Sequence, residues 1–224
     1  MASDSQGHFT SHLFEFDQVF DPNASQKEVY DVAARPIIDS VLEGFNGAIF
    51  AYGQTSSGKT YTMQGDDIDD VESQGIIPRM VRTVFNRIQS ANENMEFSLK
   101  VSMCEIYNEN IQDLLNPTRK NLKVFEEKAK GVYIKDITES WCIDEDQVYK
   151  LMRYGNKNRA CASTSMNAQS SRSHALFILT ILITNTEDGS SKSGKLYLVD
   201  LAGSERVSKS GATGQVLEEA KSIN

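Results

Sequence analysis

Several things are missing from this sequence, and each absence removes a class of protein. No apolar run among the 224 residues approaches the ~20 that a membrane span requires. The N-terminus, MASDSQG, lacks the basic-then-apolar pattern of a secretory signal, so the chain is expected in the cytosol without membrane insertion. Cysteines are few and odd in number: Cys104, Cys142 and Cys161 are widely spaced and form no C-x-x-C pair. Reduced, packing thiols are therefore expected rather than a disulfide framework. His8, His12 and His174 form no plausible metal set with them. Basic residues are outnumbered, 23 Lys and Arg against 31 Asp and Glu, giving a net charge of −8. That balance argues against a broadly basic nucleic-acid binder while leaving local patches open. No repeat, low-complexity segment or Pro/Gly-rich linker divides the chain, and its length suits one domain or two at most. What remains, 39% hydrophobic and 24% charged residues, is ordinary for a soluble globular fold.

Residues 13–20 (LFEFDQVF) read as a short strand because aromatics are enriched there. The Ser25-Gln26-Lys27-Glu28 spacing is that of a capping box, which places a helix start at Ser25. Val29, Val32, Ala33, Ile37 and Val41 continue it, Pro36 should kink it, and Gly44 should end it. GAIFAY at residues 47–52 reads as a buried parallel strand. After an acidic surface loop at 65–74, a helix near Pro78 would turn Val81, Val84, Phe85 and Ile88 inward. Residues 97–107 read as a long strand, and Lys130-Gly131 marks the turn of a small β-lobe within 122–135. A helix is expected over 144–158 with Val148, Leu151 and Met152 inward. Strands at 175–184 and 195–200 would be joined by a hairpin loop over 185–194. Strands mixed with helices in this way indicate an α/β layer fold.

Three segments carry chemistry. GQTSSGKT, composed of Gly53, Gln54, Thr55, Ser56, Ser57, Gly58, Lys59 and Thr60, satisfies every fixed position of G-x-x-x-x-G-K-[ST]. Its glycines allow a tight turn whose N–H groups face phosphate oxygens, at the positive end of the following helix. Lys59 can reach the β- and γ-phosphates, and the Thr60 hydroxyl can ligate Mg²⁺. A chance match in a chain of this length is roughly one in a hundred from average residue usage. The second segment, LYLVDLAGSE at 196–205, is an apolar strand that delivers the Asp200 carboxylate at its C-terminal end. Asp200 would hold Mg²⁺ through a water, and Gly203 would offer a backbone N–H to the γ-phosphate. The third, NAQSSRSH at 167–174, combines hydroxyls with an arginine just before a strong strand. It suits a loop closing over a γ-phosphate, and a polar, N-capping loop is the alternative.

In this order, YGQTSSGKT, NAQSSRSH and DLAGSE resemble the phosphate loop, switch I and switch II of the kinesin motor domain. The flanking LEGFNG at 42–47, GIIPR at 75–79 and EIYN at 105–108 are similar to kinesin segments as well. The resemblance covers roughly residues 14–224 and is closest to the conventional, plus-end-directed branch. Myosin differs at both switches, and the nearest approach to a guanine reader, Asn156-Lys157-Asn158-Arg159, lacks the final Asp, so ATP is the expected nucleotide.

What the resemblance implies is a P-loop NTPase fold with a central mixed, mostly parallel sheet flanked by helices. Lys59, Thr60, Ser171 and Asp200 would organise the phosphates and Mg²⁺. Asn167 and Ser170 would position or deprotonate the attacking water, and Arg172 with Glu205 would form a salt bridge that latches the switches. Tyr61 would stack against adenine. The partner implied is the microtubule: Lys128, Lys130, Lys209 and Lys221 are candidates for its acidic surface, with ordinary solvated lysines as the alternative. The location implied is the cytoplasm and its cytoskeleton, and a homodimer would assemble through segments outside this chain. Residues 1–12 are expected to be a disordered N-terminus and 13–224 to form a partial motor domain lacking pieces at both ends. A nucleotide- or tubulin-binding fragment without motility is the competing expectation.

Overall fold

A computed structural model describes residues 13–128, 131–163 and 171–205, together with the backbone of two short strands, β1 (Ala2–Ser3) and β2 (Phe9–Thr10). These two pair antiparallel within the first twelve residues. Residues 13–20, expected as a strand, form none. They lie outside any ladder with Leu13 99% and Phe14 74% exposed, because aromatic propensity makes no strand without a partner.

The first helix begins where its cap requires. Ser25 Oγ accepts the Glu28 N–H at 3.1 Å, and α1 (Gln26–Val29) follows. The interruption expected at Pro36 takes the form of a π-helical stretch, Tyr30–Ala34, that runs into α2 (Arg35–Leu42). Proline has no N–H to give, and the Arg35 N–H reaches back to the Tyr30 carbonyl instead of the next one along. Gly44, at φ +99°, ends the run.

Next come β3 (Asn46–Ala51), α3 (Lys59–Gln64), α4 (Ile76–Gln89), β4 (Met95–Tyr107) and β5 (Asn110–Asp113). The remaining elements are β6 (Val124–Glu127), β7 (Gly131–Ile134), β8 (Ser140–Cys142), α5 (Glu145–Ser163), β9 (His174–Asn185) and β10 (Ser191–Asp200). The six-stranded sheet has the order β3-β10-β9-β4-β5, with β8 pairing β4. It is mixed. β3 and β10 are parallel, and the other described pairs are antiparallel. β3 is thus parallel as expected but only half-buried, since β10 is its one described neighbour and Phe50 stays exposed. The β9–β10 connection is shorter than the polar composition suggests, because residues 191–194 already pair with β9. The small lobe is the β6–β7 hairpin, with Phe125 stacked on Tyr133.

One core serves α2, α3, α4 and α5. Leu99, Val101, Phe177, Ile181, Leu196 and Leu198 point from one sheet face into it, alternating along each strand. Ile38, Met63, Met80, Val84, Val148 and Met152 meet them from α2, α3, α4 and α5. Cys104 and Cys142 are buried and free, and burial pushes their thiols up to about 12 and about 11, which makes them packing groups. No described helix is long and apolar enough to cross a membrane.

Helix and sheet approach closely at Gly194, where a Cβ would fall against the Val41 carbonyl oxygen well inside contact distance. Gly194→Ala is expected to cost about 1–3 kcal/mol, because the obstacle is backbone rather than a movable side-chain end. An unchanged midpoint in urea unfolding would show that the contact relaxes freely.

Candidate functional site

The parallel register of β3 and β10 builds the site. It sets Asp200 opposite Ala51, so both strands release their chains side by side. The Leu201 N–H then donates to the Ala51 carbonyl at 3.2 Å, and the Ser204 N–H to the Gly53 carbonyl at 3.0 Å. The loop at 53–58 is therefore laced along one side to the segment after β10. Within it, Ser56 and Gly58 adopt left-handed backbone, φ +62° and +91°. A Cβ on Gly58 would meet open space, so glycine serves there for conformation rather than for room. Gly203 is the reverse, because a Cβ there would collide with the side chains of Thr55 and Glu205.

Thr60, on the first turn of α3, donates its hydroxyl to Asp200 Oδ2 at 2.6 Å across 140 residues of sequence. Asp200 is 5% exposed, and its other oxygen, Oδ1, is buried without a hydrogen-bond partner among the described residues. An orphaned buried carboxylate oxygen beside a hydroxyl fits a hard cation and its waters. No group of three or more His, Cys, Asp or Glu placed to hold a metal ion occurs among the described residues, so a Mg²⁺ ion here would rely on hydroxyls and phosphate oxygens as well.

A hollow of about 380 Å³ gathers much of the expected set: Thr55, Ser56, Gly58, Lys59, Thr60 and Tyr61, with Ser171 and Asp200 lining it as well. Lys59 folds back so that Nζ donates to the carbonyls of Gly53 and Gln54, both at 2.9 Å. Tyr61 is half-exposed, and its carbonyl accepts from Gln26 Nε2 at 2.7 Å. The Gly203 N–H, expected at a γ-phosphate, donates to the Ser171 carbonyl at 2.8 Å, which joins the segment after β10 to the one before β9. Glu205 Oε2 accepts the Thr55 N–H at 2.9 Å, and Oε1 accepts the Thr55 hydroxyl at 2.5 Å. That hydrogen bonding holds the Glu205 carboxyl below its ordinary range. Arg172 is half-buried just before β9. Asn167 and Ser170 lie outside the described residues, as do Lys130, Lys209 and Lys221, whereas Lys128 is exposed just after β6.

Behind Asp200 lies a buried support that no sequence motif marks. Arg159 Nη1 approaches Asp200 Oδ2 at 3.4 Å, and its Nε approaches Glu105 Oε1 at 3.4 Å. Ser173 Oγ donates to the same Glu105 oxygen at 2.6 Å. His174 Nδ1 accepts the Ala202 N–H at 3.1 Å, so its neutral ring carries the proton on Nε2. Burial, and then the Arg159 charge, lower the His174 pKa and keep it neutral. One signal was available: Val148, Met152, Gly155 and Arg159 share a buried stripe of α5, and a charge on such a stripe needs partners.

Comparison with known proteins decides the family. A family model described as the kinesin motor domain matches residues 2–224. The chain belongs to the kinesin motor-domain family. It is 54% identical over 211 residues to the kinesin heavy chain of Syncephalastrum racemosum, covering 94% of this chain and 23% of that one. To the kinesin-1 heavy chain of Homo sapiens it is 52% identical over 214 residues, covering 96% and 22%. A solved fast kinesin superposes with a TM-score of 0.89 at 51% identity, covering 94% of this chain and 59% of that one. The sheet and helices described above are accordingly those of a kinesin motor fold. The chain spans about a quarter of the length of the curated kinesin heavy chains it matches.

Proposed function

We propose that this kinesin-family chain carries the ATP-hydrolysing centre of a microtubule motor, with Mg²⁺ as cofactor. The observation that supports this best is the 2.6 Å bond between Thr60 and Asp200, made beside an orphaned carboxylate oxygen in a hollow that Ser171 also lines. Thr60, Ser171 and Asp200 would hold Mg²⁺, which neutralises charge on the β- and γ-phosphates when bound. Residues 53–60 supply the amides, and Lys59, released from its own loop carbonyls, supplies a cation. Tyr61, half-exposed on the rim, offers its ring to adenine. Asn167 and Ser170 would position the attacking water. Arg172 and Glu205 would close the two switches on each other, and Glu205 would relay a proton. Charge neutralisation and positioning account for most catalysis of phosphoryl transfer, so no covalent intermediate on the protein is required.

The tubulin-facing candidates are Lys128 on the exposed hairpin, with Lys130, Lys209 and Lys221, and the working location is the microtubule cytoskeleton. The test is ATPase turnover with and without microtubules, alongside co-sedimentation. Microtubules are expected to stimulate turnover, and Lys59→Ala is expected to abolish ATP binding, measured by equilibrium dialysis. Nucleotide binding without stimulation would instead make the chain a non-motile binding fragment. ATP binding that survives Lys59→Ala would remove the phosphate loop from the assignment.

A further inference from the structure

A second hollow, of about 490 Å³, lies between the run from Lys27 to Asp39 and the polar face of α4. α4 is sharply two-sided. Ile77, Met80, Val81, Val84 and Phe85 enter the core, whereas Arg79, Arg82, Thr83, Asn86, Arg87 and Ser90 recur at helical spacing along the wall of the hollow. That stripe carries three arginines and no carboxylate. Across from it stand Lys27 and Arg35, and Asp31 bonds both, at 2.5 Å and 2.6 Å. With Asp39 and Glu72, the lining holds five cationic and three anionic side chains, in a chain whose net charge is −8.

A solvated helix face would share part of this composition, and two features separate the hollow from one. Its floor is closed by Tyr30, 2% exposed, whose hydroxyl lies 2.5 Å from Thr83 Oγ1 and pins the two walls together. Arg79 is buried at 8% exposure. Its Nε and Nη2 are used by the carbonyls of Gln74, Val71 and Glu72, while Nη1 makes no hydrogen bond among the described residues. Arg82 and Arg87 form no ion pair among the described residues, although Arg82 also lies against the Tyr149 hydroxyl.

We propose that this hollow binds a small polyphosphorylated ligand, held by Arg82 and Arg87 with Arg79 at its base. Planar guanidinium forks match phosphate oxygens two at a time, and Thr83, Asn86 and Ser90 add neutral donors along the same wall. The volume lies within the roughly 300–1,000 Å³ typical of small-molecule sites. A free inositol polyphosphate and the headgroup of a phosphoinositide lipid share the chemistry required.

The experiment is calorimetric titration of the chain with inositol hexakisphosphate, together with sedimentation on phosphatidylcholine vesicles with and without phosphatidylinositol 4,5-bisphosphate. Saturable binding of the soluble probe is expected. It should weaken at least about tenfold in Arg82→Gln/Arg87→Gln, as loss of charge-assisted hydrogen bonds implies, and persist in Lys59→Ala. Arg87→Gln alone, at an exposed position, gives a second variant that keeps the fold and is expected to weaken binding by a smaller factor. Co-sedimentation only with phosphoinositide vesicles would assign the lipid source, and binding only of the soluble probe the free one. Binding lost in Lys59→Ala but intact in the arginine variants would place the anion in the phosphate loop and overturn the proposal. So would equal, arginine-independent binding of an oligoglutamate peptide, or no binding of either probe.

Discussion

Arg159→Met is expected to destabilise the chain by about 3–5 kcal/mol, the range for removing one partner of a buried ion pair. Arg159 sits between Glu105, 2% exposed, and Asp200, 5% exposed, and its Nη2 also reaches the Ser173 carbonyl and hydroxyl at 3.4 Å. The separations are long for charged hydrogen bonds, so the attraction gained is not the main quantity at stake. The cost comes from taking the Arg159 charge away from two carboxylates in the interior. Asp200 would retain the Thr60 hydroxyl and Glu105 the Ser173 hydroxyl, and neither supplies positive charge. Urea unfolding measures the loss. Glu105→Gln added to Arg159→Met should recover part of it, because one of the stranded charges disappears, giving a coupling energy in the double-mutant cycle. Wild-type stability in Arg159→Met would mean that this network contributes nothing.

Glu205→Ala is expected to lower ATP turnover by about 10²–10⁴-fold, the usual contribution of a positioned acid–base group. ATP binding should persist or tighten, and this split separates a catalytic role from a structural one. Glu205 holds both the amide and the hydroxyl of Thr55, and the same hydrogen bonds keep its carboxyl ionised. The carboxylate therefore places a negative charge on a phosphate-loop amide, where a phosphate oxygen would also seek a donor. Removing it frees that donor and removes one anion from beside the triphosphate. Turnover measured with microtubules, alongside equilibrium binding of a fluorescent ATP analogue, gives both readouts. Normal turnover would remove Glu205 from the mechanism, and a collapse in binding would make it a structural strut.

Much of this was readable from short-range pattern. The Ser25 cap, the break around Pro36, the stop at Gly44 and the strand ending in Asp200 each depend on residues within a turn or two of one another. Residues 13–20 failed on the same basis, since a strand is a property of two chains and composition describes only one. The hairpin loop at 185–194 was overextended for a related reason: Ser191, Lys192 and Ser193 look like loop residues until β9 supplies ladder partners.

The sequence alone determined which chemical groups exist and how each is presented locally: a loop of amides at 53–60, a carboxylate at a strand end, hydroxyls beside an arginine. Backbone dihedral preferences and side-chain periodicity act over a few residues, and those features need nothing longer. Only the tertiary structure decided which of these groups meet. The register that sets Ala51 against Asp200 brings Thr60 to Asp200 across 140 residues and Thr55 to Glu205 across 150. It also leaves Lys59 on its own loop carbonyls and places Arg159 behind the site. Such meetings follow from packing a whole sheet against its helices, because burying a charge is tolerable only where the fold delivers its partner.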